Sequence, residues 1–389
     1  MSTAGPLAGF RILELASIGP GPYCGMLFAD LGADVLRIER DPHGDAMLPD
    51  DNPLLRGRAR IAVDLTKPDG VALLLQLVER CDGLFEGYRP GVTERLGIGP
   101  DVCLARNPRL VYGRVTGWGQ EGPLSHTAGH DLNYLALTGL LQLIGPPGGK
   151  PVPPLNVVGD FGGGGLWLAF GMVCAMLEAQ RSGRGQVVDA AMIDGVASFL
   201  APFFRIGAPM TLVAAPGETL LAGAAHYYDT YETADGGYIS IAALEPQFYG
   251  QLIDRLGLDR DRFIAAGFPL GDAAARARWP ELKQELAAVF RSRTRAQWCE
   301  LLEGTDVCFA PVLTPGEAPR HPHHVARGTF VEINGIVQNA PGPRFSRTAA
   351  RITQSRAPAG QGVDAVLAEW GLDSDELARL RASGVVSQR

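Results

Sequence analysis

The segment FRILELASIGPGPYCGMLFADLGADVLRIER constrains the fold more than any other part of this chain. Arg11–Leu15 and Asp34–Glu39 have the mixed apolar runs of buried strands, with glycine and proline punctuating the stretch between them. A tight turn and a short helix fit that stretch, so the unit reads strand, turn, helix, strand. The alternation continues with a helix at Gly70–Cys81 and a strand around Gly83–Glu86. A strand follows in RLVYGRVTGWG, then a helix over His130–Ile144 and a strand at Gln186–Met192. The expected class is α/β with a parallel, helix-covered sheet.

Past this point the texture changes. Residues 205–225 are small and proline-rich, as in a linker. YYDTYETADGGYISIAAL reads as a hairpin hinged on Asp235-Gly236. Glu245 to about Val312 is expected to be mainly helical and to form a smaller second domain. Near the C-terminus one helix starts at Val363, and another is opened by Asp373 with Glu376 three residues on.

The 389 residues are 46% hydrophobic and 20% charged, ordinary for a globular protein of one large or two moderate domains. A net charge of −7 argues against a nucleic-acid partner, whose binding surface is basic. Cys24, Cys81, Cys103, Cys174, Cys299 and Cys308 are scattered without a C-x-x-C pair, as reduced thiols are. The opening MSTAGPLAGF has no basic region followed by an apolar run, so no signal peptide is expected. The longest apolar helical stretch, Leu166–Leu177, falls short of the ~18–20 residues of a membrane span. Together these predict a soluble, cytoplasmic protein with no membrane partner.

Several motifs admit two readings. Gly19-Pro20-Gly21 after a strand, with Glu39 about twenty residues on, resembles a dinucleotide fingerprint, but Gly25 falls one place late. A plain α/β turn is the other reading. Arg56, Arg58 and Arg60 suit a polyphosphorylated nucleotide or, equally, a solvated surface. His126 and His130 share one loop and compete for any chemical role. His321, His323 and His324 look like metal ligands, yet Pro322 breaks their spacing and no metal is expected. Asp160 opens the run GDFGGGG either as a helix N-cap or as a carboxylate beside an anion site made by bare backbone N–H groups. There is no G-x-S-x-G elbow and no P-loop.

A resemblance narrows these choices. LAGFRILEL, DLGADVLRIE, YRPGVTERLG, TGWGQEGP, AGHDLNY, LNVVGDFGGG, EPQFY, HPHHVARGTF and PRFSR follow one another as in the family III CoA-transferases of the CaiB/BaiF type. Within that family the chain is most similar to the α-methylacyl-CoA racemases. The resemblance implies a Rossmann-like large domain from residues 1–205 and 330–389 and a small α+β domain at 222–312. Linkers would span 206–221 and 313–329, and two subunits would interlock as a homodimer. It also implies an acyl-CoA thioester as substrate with no separate cofactor, and a place in lipid and fatty-acid metabolism.

Carried over by position, Arg40, Val63, Asp64, Leu65 and Thr66 would hold the adenosine end of CoA. Gly87, Tyr88, Arg89 and Arg95 would line its phosphates, and Gly129, Asp131, Leu132, Asn133 and Tyr134 would flank the thioester. The catalytic pair would be His130 and Asp160, with Glu245 supporting the histidine. The reaction implied is interconversion of (2R)- and (2S)-2-methylacyl-CoA by α-proton exchange through an enolate. The alternative is CoA transfer between carboxylic acids through an anhydride on Asp160. The glycine run would give the thioester oxygen access to bare N–H groups at the start of its helix. LAGAAH (Leu221–His226) departs from the L-D-G-G-A-P of the racemases, which would place His226 near the acyl pocket.

Overall fold

The computed structural model describes residues 5–40, 48–204, 216–265, 273–353 and 363–387. Most of the first proposed linker, 206–215, lies outside them. The chain divides into two compact units. The first comprises Met1–Thr138, Leu155–Ser198 and Phe330–Arg389, and the second Gly139–Pro154 and Phe199–Thr329.

The first unit is built on six parallel strands, β1 (Arg11–Leu15), β2 (Asp34–Glu39), β3 (Ala59–Val63), β4 (Gly83–Glu86), β5 (Val111–Thr116) and β6 (Gln186–Ala191). Their order is β3-β2-β1-β4-β5-β6, and the short strand Val386–Ser387 adds antiparallel to β3. The period of two along β1 sorts its side chains. Leu13 and Leu15 join Leu36, Ile38, Leu73, Leu77 and Trp370 on one face of the sheet. Ile12 joins Phe28, Val35, Phe85, Leu168 and Met172 on the other. Helices therefore cover both faces, as the α/β pattern requires.

Buried charge runs through this sheet. Glu14, fully buried on β1, accepts from Arg37 and, at 2.5 Å, from Arg58. Glu39 on β2 accepts from Arg60 at 2.8 Å, and Arg60 also reaches Asp50 at 2.7 Å. Arg56 grips Asp30 with contacts of 2.9 and 2.5 Å. The cluster Arg56, Arg58 and Arg60 is thus structural, and neither the nucleotide reading nor the solvated-surface reading holds. Gly25 is small because any Cβ there would meet Glu14 and Arg58, so it belongs to no dinucleotide fingerprint.

The Gly-rich segment continues without a break into the next helix. Val157–Leu166 is wound as a π-helix and Trp167–Ser182 as an α-helix. The combined 26 residues are long and apolar enough, by length and composition, to cross a membrane, which corrects the shorter stretch expected from sequence. Leu168, Ala169, Met172, Ala175, Met176 and Ala179 are buried, and several of them pack against the sheet core. The expected helix His130–Ile144 is shorter, Asp131–Thr138, followed by a 3-10 turn at Leu141–Leu143.

The second unit has a three-stranded antiparallel sheet. The hairpin Tyr228–Glu232/Tyr238–Ala242 turns at Asp235-Gly236, and Phe309–Val312 pairs with its second strand. Helices Pro246–Leu256, Ala273–Phe290 and Arg295–Leu302 complete the unit. Its core is aromatic, with Tyr227, Tyr231, Tyr249, Phe263, Trp279, Phe290 and Trp298.

His226 is fully buried in that core, and its Nε2 lies 2.6 Å from Tyr249 Oη. The side chain is enclosed within the core of its own unit. Burial pushes its pKa down to about 3, and Lys283 adds to the shift. Below the ordinary histidine value of ~6.5 the unfolded chain therefore binds a proton that the native state refuses. Stability should fall as pH drops from about 6.5 towards 3, by up to about 1.4 kcal/mol per pH unit from this group. Chemical denaturation of wild type and His226→Phe checks this. The variant should show the flatter acid limb, and an equal slope would assign the loss to other groups.

Candidate active site

At the carboxyl ends of the parallel strands lies a cavity of about 460 Å³ lined by residues of the first unit. His130 and Asp160 both line it, as do Gly87, Tyr88, Arg89, Gly129 and Tyr134. His126 does not, although its neighbours Ser125 and Thr127 do. Of the two histidines, His130 is the one at this cavity.

Asp160 is half-buried, and burial is the main reason its carboxyl is raised above the usual range. Asn156 opposes this by donating to Asp160 Oδ2 at 3.0 Å, while Asp131 raises the carboxyl further and His130 lowers it. The carboxylate lies over Gly19, where an added Cβ would sit 3.0 Å from Oδ2. Gly19 also has φ +67°, a conformation that L side chains rarely adopt. It serves the site by leaving room for Asp160.

The loop before the helix Asp131–Thr138 is held from three directions. Asn133 Oδ1 accepts from His130 N at 3.0 Å. Tyr134 Oη donates to the Gly129 carbonyl at 2.5 Å. Trp118 stands against Gly129, where a Cβ would come within 2.8 Å of the indole. His130 itself is exposed to the cavity side of this clamp.

The glycine run has a different cause from the one expected. A Cβ on Gly163 would meet Val196 at 2.9 Å, and one on Gly164 would meet Pro20 at 2.8 Å and Met192 at 2.9 Å. On Gly165 it would meet the Pro20 carbonyl at 2.6 Å and Tyr23 at 2.9 Å. These glycines let the helix pack closely on Pro20–Asp30 and Met192–Phe199. Two of the opening N–H groups are occupied as well. Asp160 N donates to Asp131 Oδ1 at 2.8 Å, and Gly159 N donates to the same carboxylate. Two donors at the helix start are therefore turned to Asp131 and not to a thioester oxygen.

The remaining expected positions spread along the strand ends. Arg40 is exposed just beyond β2, and its charge acts on Asp64 and Tyr88. Val63 is buried in the core and Leu65 packs against it, so only the backbone of Val63 could face a ligand. Asp64 accepts from Thr66 N at 3.0 Å and Thr66 Oγ1 at 2.5 Å, and these bonds hold its carboxyl below the usual range. Arg95 is exposed on Val92–Arg95, and Leu132 is 41% exposed. Asp131 is buried with its side chain turned to the Gly159–Asp160 backbone. Glu245 belongs to the second unit, exposed before the helix Pro246–Leu256. His321 Nε2 pairs with Glu303 at 2.7 Å and His321 Nδ1 accepts from His323 N.

Residues 7–363 match the model of CoA-transferase family III. The chain belongs to this family. A family III relative, the α-methylacyl-CoA racemase of Mus musculus, is 42% identical over 383 residues, covering 98% of this chain and 97% of that protein. The human α-methylacyl-CoA racemase is 40% identical with the same coverage. Among solved structures, a CaiB/BaiF family protein from Brucella suis is 25% identical with a TM-score of 0.77, covering 94% of this chain and all of that one. The parallel sheet with its strand-end cavity is thus the scaffold of a family III protein.

Sequence reading missed Trp118 and Asn156, and weighed Gly19 only as part of a dinucleotide or plain α/β turn. Asn156 stands four residues before Asp160, a spacing that brings two helical side chains together. Gly19 and Trp118 meet the site only through the fold.

Proposed function

We propose that this family III protein interconverts (2R)- and (2S)-2-methylacyl-CoA thioesters by α-proton exchange between His130 and Asp160. The observation that carries the reading is that both groups line one cavity. One removes the α-proton, the other in its acid form delivers a proton to the opposite face, and a planar enolate forms between them. Two groups are required because a single base returns the proton to the face it left. The raised carboxyl of Asp160 favours its acid form, as a proton donor needs. That relatives 40% and 42% identical are α-methylacyl-CoA racemases supports epimerisation as the reaction.

Proton transfer alone contributes ~10²–10⁴-fold, so the enolate oxygen needs a donor as well. With the N–H groups of Gly159 and Asp160 engaged, the helix Asp131–Thr138 is the better source. It begins directly after His130, and the Asp131 and Leu132 N–H groups precede its first backbone bonds, which run from Asn133 and Tyr134 to the His130 carbonyl. Arg40, Arg89 and Arg95 are proposed to meet the CoA phosphates, with the Asp64–Thr66 turn at the adenosine end. Glu245 is proposed to support His130 within an interlocked homodimer. Leu166, Phe170, Leu177 and Val187 of the first unit are 41–62% exposed, an apolar face consistent with a covering partner. The six free thiols suit a reducing cytoplasm.

The rival chemistry makes Asp160 a nucleophile and moves CoA to another acid. Supplying one epimer together with a labelled carboxylic acid separates the two. Epimerised substrate with unlabelled CoA ester supports the proposal, whereas label appearing in a new CoA thioester would replace it with transfer.

A further inference from the structure

Asp131 is 8% exposed, and its carboxylate reaches the start of the Val157–Ser182 helix. Its Oδ1 accepts from Asp160 N at 2.8 Å, and it also accepts from Gly159 N. Gly159 has no room for a side chain because a Cβ would overlap Asp131 Oδ1. A π-helical start needs such an acceptor, since the first N–H groups of a helix have no partner within it. Asp131 is also joined covalently to His130. One residue thus ties the chain position of the histidine to the backbone that carries the aspartate.

We propose that Asp131 is a positioning residue, whose carboxylate clamps the Gly159–Asp160 backbone and sets the separation of Asp160 from His130. The proposal rests on the acid–base reading of that pair. It assigns the side chain to geometry; any contact of Asp131 with substrate passes through its backbone. Asn156 fixes the Asp160 carboxylate from one side and Asp131 fixes its backbone from another. Asn133 Oδ1 and Tyr134 Oη, from the same helix as Asp131, hold the histidine loop. The helix Asp131–Thr138 therefore registers both reacting groups. Misplacement by about 1 Å costs a reaction of this kind about 10²-fold.

Two variants test it. Asp131→Ala removes the acceptor, whereas Asp131→Asn keeps an oxygen able to accept the same backbone bonds. Each is assayed for kcat and KM of α-deuterium exchange on a 2-methylacyl-CoA, and for amide hydrogen exchange over residues 157–166. Asp131→Ala should lower kcat by about 10²-fold with KM within about threefold of wild type, while the Gly159 and Asp160 amides exchange faster. Asp131→Asn should recover most of both losses. Wild-type-like kcat in the alanine variant, a KM rise that accounts for the whole loss, or an asparagine variant as poor as alanine would each overturn the proposal. Should wild type itself show no α-exchange, the functional reading fails. Amide protection in the two variants then decides the clamp alone.

Discussion

Alanine in place of His130 or Asp160 is expected to reduce epimerisation of a 2-methylacyl-CoA by ~10²–10⁴-fold in each case. The losses follow from geometry. With one group gone, the remaining one can still take a proton but cannot deliver one to the other face. The double variant should be little worse than either single one, because groups that act as a unit are not additive. CoA should still protect both variants in a thermal melt, since the arginines proposed to hold its phosphates are untouched. Appearance of the opposite epimer checks the rates. Epimerisation within tenfold of wild type in either variant would show that the pair is misassigned.

Removing Glu14 should be the most damaging single change to stability. Its carboxylate is fully buried and is shared by Arg37 and Arg58, themselves buried. Glu14→Ala removes the carboxylate that Arg37 and Arg58 share, while Arg37 keeps Glu39 at 3.1 Å. Breaking a buried pair in this way costs about 3–5 kcal/mol, a large share of the 5–15 kcal/mol that a domain typically has. Replacing Glu14 and Arg58 together by leucine and methionine should restore much of the loss, as an apolar pair can stand in for a buried ionic one. Urea denaturation measures both. A Glu14→Ala loss below about 1 kcal/mol would mean that water or another carboxylate compensates the arginines.

The sheet was legible because strands buried on both faces read as near-continuous apolar runs. β1, β2 and β4 fall where sequence puts them. The hairpin was legible from Asp235-Gly236, whose glycine has φ +74°. The short strands Phe309–Val312, Phe330–Ile333 and Ile336–Asn339 were not, since four residues carry too little periodicity to stand out. Arginines at 56, 58 and 60 misled because their partners come from other elements. Carboxylates inside buried strands, Glu14 and Glu39, were the available signal that buried cations must be near. The glycine run misled for a similar reason. Its neighbours Pro20, Tyr23, Met192 and Val196 are distant in sequence, so a packing requirement looked like a ligand requirement. Asp131 and Asp160, 29 residues apart, likewise meet only through the fold.

The most direct test starts from a single epimer of a 2-methylacyl-CoA in D₂O with wild-type protein. Proton exchange between two faces predicts that α-deuterium and the opposite epimer appear together, from either starting configuration, and that CoA stays on its original acyl group. Unchanged configuration with no α-deuterium, while CoA passes to an added acid, would contradict the account.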